Sequence, residues 1–170
     1  MEDREARARE DRQLRDQLME MLTGEGARMP FDEAVADFPA DAINRLVPGG
    51  DVTPWAILEH LRLTQWDILD YIRNRDYAEM EWPEEYWPPK GAETTAEGFK
   101  ASVEAFRADN DALRRIVADP STDVFAVIPG TPNHTIVREV RIVADHNSYH
   151  LGEFAILRQS MGTWPPDRDS

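Results

Sequence analysis

Four stretches of this chain repeat apolar residues every three to four positions, the period of an α-helix that buries one face. The first runs from about Asp3 to Leu22, where Leu14, Leu18, Met21 and Leu22 form a one-sided stripe and Gly24 and Gly26 follow as a stop. The second opens on Thr53, suited to an N-cap, and Pro54, suited to the first helical position; Ile57, Leu58, Leu61, Ile68, Leu69 and Ile72 supply its buried face as far as about Arg73. The third begins near Thr94 or Thr95, carries Phe99, Val103, Phe106, Leu113 and Val117, and ends at Asp119-Pro120. The fourth is capped by Thr135 and runs to about Met161, with Gly162 as its terminating residue and Pro165 and Pro166 preventing continuation. Within the connection from Glu25 to Val52, residues 31–35 and 41–46 read as short helical turns. Residues 123–129 read as a short extended piece, but no set of alternating strands accompanies it. Four helices that must each bury a single stripe are satisfied together by an all-α four-helix bundle with a long crossover connection, and 170 residues suit one such domain over 1–170.

Two polar residues, Gln65 and Asn110, interrupt the apolar stripes of the second and third helices. Each has two readings, a residue that orients a substrate or ligand and one that pairs with nearby backbone or faces outward. The segment Trp82-Pro-Glu-Glu-Tyr86-Trp87-Pro-Pro cannot be a helix interior, and it is too aromatic for a disordered linker. It is read as an ordered loop packed over one end of the bundle.

The last helix holds the residues with the most chemical content. His146 and His150 are four apart, so they share a face, and Val143, Phe154 and Leu157 occupy the same face. Two imidazoles at that spacing can reach one metal ion. They can equally be core histidines with ordinary hydrogen bonds. His60, near the Ile57/Leu61 stripe of the second helix, is the candidate third ligand, although spacing alone does not show that it faces the other two. Three neutral imidazoles would leave a divalent ion with open positions, the pattern of a catalytic site. Glu153, one turn beyond His150, is the candidate catalytic residue: it can accept a hydrogen bond from a ligand, bind the ion or act as a base. His134 lies in a polar turn and is read as exposed.

Composition removes several classes of function. The formal charge of −14 repels phosphate backbones and anionic membrane surfaces. There is no cysteine, hence no disulfide framework, catalytic thiol or thiolate metal site. The charge-dense first helix is unlike a signal peptide and no apolar run is long enough to span a bilayer, so a cytoplasmic location is expected. Phosphate-binding, dinucleotide-binding and nucleophile-elbow motifs are absent, and no pair of Glu-x-x-His segments suggests a di-iron centre.

Residues 55–62, with His60, and residues 145–158, containing His146, His150 and Gly152, resemble the DinB-like (YfiT-like) superfamily of metalloenzymes. Tyr86-Trp87-Pro88 and the segment from Met161 to Trp164 add to the likeness. The resemblance implies a bundle that often forms a homodimer, with His60, His146 and His150 holding nickel, zinc or an iron-type ion. It also implies a small-molecule substrate, because some members are thiol-dependent transferases and one is a maleylpyruvate isomerase. Where many members carry Gln, this chain has Glu153. A carboxylate there favours a cation and disfavours an anionic thiolate. The resulting reading is a divalent-metal-dependent enzyme, with a thiol-dependent S-transferase as its most concrete version. A metal-dependent hydrolase is one alternative, and a non-enzymatic, stress-associated metal-binding dimer is the other.

Overall fold

The computed structural model describes residues 2–165. It is all-α: α1 (Glu2–Thr23), α2 (Phe31–Val35), α3 (Pro54–Arg73), α4 (Ala96–Ala118) and α5 (Ile136–Met161). The four long helices close a ring, α3 packing on α4 and α5, and α1 packing on α4 and α5 from the other side. The short α2 lies against α5. No helix among the described residues is long and apolar enough to cross a membrane.

Local chemistry sets the helix ends. The hydroxyls of Thr53, Thr95 and Thr135 each accept a hydrogen bond from the backbone N–H three residues on, relieving one of the orphan donors at each start. Pro54 fills the first position of α3. At the end of α5, Gly162 adopts a left-handed conformation (φ 63°) that a β-carbon would disfavour, and its N–H returns to the carbonyls of Arg158 and Gln159. Pro166 lies outside the described residues. The expected extended piece at 123–129 reduces to an isolated antiparallel bridge, Val127 to Thr135, among turns.

Apolar packing falls into two clusters. One joins α2, α3, α4 and α5 through residues such as Phe31, Leu61, Phe106, Leu151 and Phe154. The other joins α1, α3, α4 and α5 through Leu18, Leu22, Ile68, Leu113 and Val143. Between them lies a layer of amides. Gln65 Oε1 accepts from Asn110 Nδ2 and Asn147 Nδ2, each at 3.2 Å, and Gln65 Nε2 donates to the Phe106 carbonyl at 2.8 Å. Gln65 and Asn147 are 1% and 2% exposed, so these bonds replace water outright. Of the two readings of Gln65 and Asn110, the structure gives pairing with buried backbone and with each other.

A buried arginine ties the long 24–53 connection to the end of α5. Arg158, with no exposed surface, donates to the carbonyls of Ala34, Ala36 and Thr163 at 2.7–2.8 Å, and its guanidinium lies over Trp164. This contact holds α2 and the last turn of α5 together below the site.

Candidate metal centre

α3 carries His60 and α5 carries His146 and His150, and the packing of these two helices brings the three rings together. One ring nitrogen from each lies within 4.8 Å of those of the other two. His60 Nε2 and His146 Nε2 are 3.0 Å apart. Two nitrogens that share an ion at ordinary metal–nitrogen distances sit roughly 2.9–3.4 Å from each other. The helical phase of α3, which spacing could not supply, is what points His60 inward.

The nitrogen on the far side of each ring decides which one is free. His60 Nδ1 is 2.8 Å from the Tyr86 carbonyl, which can only accept, so Nδ1 carries the proton and Nε2 presents a lone pair. His150 Nδ1 is 2.9 Å from Glu153 Oε2, so in the neutral tautomer its proton sits on Nδ1 and Nε2 presents the lone pair. Of the three roles open to Glu153 from the sequence, this geometry is that of hydrogen-bond acceptor to a candidate ligand.

His146 Nδ1 is buried with no hydrogen-bond partner of ordinary geometry, and so is Asn147 Oδ1 beside it. A proton on His146 Nε2 would leave Nδ1 as an unsatisfied buried acceptor. A proton on Nδ1 would point two lone pairs at each other across 3.0 Å, an arrangement that a cation between them turns from repulsive to favourable. The donor set therefore fits a divalent ion.

Burial keeps the His60 and His146 rings neutral. His60 is 1% exposed, and loss of hydration, with the His150 ring nearby, lowers its pKa to about 4 against the hydrogen bond to Tyr86. His146 falls to about 3, first through burial and then through the proximity of His150 and His60. A metal ligand must be unprotonated, so these two rings need give up no proton at neutral pH.

The 82–89 loop does more than close one end of the helices. The Trp87 ring stacks on His60 with centroids 3.7 Å apart and planes 7° from parallel. The loop is held from beneath by Asp67, a buried carboxylate of α3 that accepts from the hydroxyls of Tyr77 and Tyr86, both at 2.9 Å. Trp82 and Tyr149 flank the cluster as exposed aromatics. His134, expected in solvent, is half-buried and hydrogen-bonded to Tyr71 at 2.6 Å, away from the other histidines, because the turn before α5 folds back on α3.

Sequence reasoning missed Asp67 and Asn147. Their signal was present: each is a polar residue at a position where its helix is otherwise buried, the same sign that drew attention to Gln65 and Asn110.

The sequence model of the DinB superfamily matches residues 23–154, a span that includes all three histidines and Glu153. This chain belongs to the DinB superfamily. No curated protein and no solved structure matches it. As a DinB-superfamily member it joins an all-α fold to a three-histidine group able to hold a metal ion, and the resemblance read from residues 55–62 and 145–158 is confirmed at the level of the family.

Proposed function

We propose that this DinB-superfamily chain is a divalent-metal-dependent enzyme whose ion is held by His60, His146 and His150. The observation that carries the reading is the convergence of three ring nitrogens within 4.8 Å of one another, two of them on rings that burial holds neutral. Three imidazoles leave coordination positions for substrate. When bound, the ion supplies Lewis acidity, lowering the pKa of a thiol or water placed on it. The chain's own groups do the rest. The Tyr86 carbonyl and Glu153 fix the outer nitrogens of His60 and His150. Trp87 covers one face of His60 and excludes water there. Glu153 acts through His150, whose Nδ1–H its carboxylate accepts, and so raises the basicity of that ring.

The most concrete reaction is thiol transfer to a small-molecule substrate. The sulfur of a low-molecular-weight thiol bonds to an electrophilic carbon, the leaving group departs with its bonding pair, and the thiol proton passes to solvent. Glu153 also favours a second reading, hydrolysis by water, because its charge opposes an anionic thiolate more than a neutral nucleophile. A homodimer belongs to the same proposal; Tyr149 and Ile156, exposed on one face of α5, are the apolar surface that supports it.

Cobalt-loaded protein titrated with 2-mercaptoethanol separates the two. Direct thiol coordination predicts a new sulfur-to-metal charge-transfer band, lost in His146→Ala. An unchanged spectrum, with activated esters cleaved, would assign the site to hydrolysis. Failure to take up cobalt would contradict both.

A further inference from the structure

On the far side of Trp87 from His60, the start of α3, the segment before it and the loop after it line an open pocket of about 720 Å³. That is within the usual range for small-molecule sites. Its walls are mainly apolar, with Val52, Ala56, Pro83, Trp87 and Pro89 among them. Ala56 and His60 are four apart on α3, so they share a face and are separated by roughly 6 Å along the helix axis. Trp87 belongs to both places: it lines the cavity, and its ring lies flat on His60. The pocket therefore begins one helical turn from His60 along α3, with the Trp87 indole as the wall between them.

The ionisable groups around it limit the occupant. Lys90 stands against two carboxylates, Asp51 and Glu84, so the cavity carries no excess of positive charge for an anion. The chain as a whole, at −14, repels anions further. Little in the lining beyond these groups rewards a polar ligand. We propose that this pocket binds a neutral, apolar organic molecule, aromatic or branched-alkyl, against Trp87. Binding in the pocket stands independently of the enzymatic reading above.

The test uses the full chain and a neutral fluorophore, N-phenyl-1-naphthylamine, titrated with and without zinc. One probe per chain should bind, with a rise in emission. Ala56→Trp and Val52→Trp, which fill the cavity from the helix and from the loop before it, should each weaken binding about tenfold or more while retaining the helical circular dichroism. Ile156→Glu, on the exposed face of α5, should leave binding unchanged. The anionic 1-anilinonaphthalene-8-sulfonate should bind at least about tenfold more weakly. Probe binding should also shift the His60 ring nitrogens in long-range nitrogen NMR, because Trp87 is shared.

Equal affinity in wild type and in whichever filling variant folds would overturn the proposal, as would equal binding of the anionic probe or an unmoved His60 ring. Metal uptake without probe saturation removes this proposal alone. Probe saturation without metal uptake leaves the cavity and removes the enzymatic reading.

Discussion

Which nitrogen of each histidine is free depends on what its other nitrogen touches. Glu153 is the clearest case, because its carboxylate is the acceptor for His150 Nδ1. Glu153→Gln keeps an oxygen that can accept this bond, whereas Glu153→Leu removes it. Zinc affinity, measured by competition with a chromophoric chelator, is expected to fall roughly 10- to 100-fold in the leucine variant and less in the glutamine variant. Equal affinity in all three proteins would show that Glu153 does not orient the ring. The HxxxH pair was legible because helix geometry alone puts residues four apart on one face. His60 was only half legible: its helix was clear, but its rotation about the helix axis is set by packing against α5. Asn147 went unread because its neighbour His146 took the chemical interest. Yet Asn147 sits between Val143 and Leu151 on the buried face, where a polar side chain needs an explanation.

At the level of the elements, the amide layer and the aromatic loop are the two features that link helix packing to the site. Gln65 accepts from Asn110 and Asn147 and donates to the Phe106 carbonyl, so it joins α3, α4 and α5 at one level. Gln65→Leu takes a partner from the buried Asn147 amide, the half-buried Asn110 amide and the Phe106 carbonyl. A loss of about 1–3 kcal/mol in urea unfolding is expected. A neutral effect would mean that the layer contributes register without stability. Arg158→Met should cost about 2–4 kcal/mol, since three carbonyls at the end of α5 and in the 24–53 connection lose their donor. Thermal unfolding checks this, and an unshifted midpoint would contradict it. The helices were readable in the sequence from stripe and cap together, as at Thr53-Pro54 and Gly162. The loop was not, because aromatic side chains between prolines say that a segment packs but not what it packs on. The partners that place it, Asp67 for Tyr86 and His60 for Trp87, lie in a helix distant in sequence.

For the whole molecule, burying two neutral histidines makes stability depend on pH. His60 and His146 titrate at about 4 and about 3 when folded, against about 6.5 in an unfolded chain. Between those values the unfolded state binds more protons, so this contribution is intact above about pH 6.5 and is lost as the pH falls towards about 4. Metal-free protein should therefore lose more of its urea midpoint between pH 7.5 and pH 5 than His146→Leu does. A parallel loss in the two proteins would show that the ring is not held neutral by burial. The ring of four helices and the −14 charge belong to this scale as well: the first was implied by four single stripes, and the second was plain from composition.

Metal content tests most directly whether α3 and α5 hold one ion between them. Protein purified without a metal-affinity tag and loaded with nickel, zinc, iron or manganese would be analysed by plasma mass spectrometry, wild type beside His60→Ala. Near one equivalent in the wild type, lost in the variant, is the predicted result. No metal under any loading, or an equivalent that survives removal of His60, would contradict it.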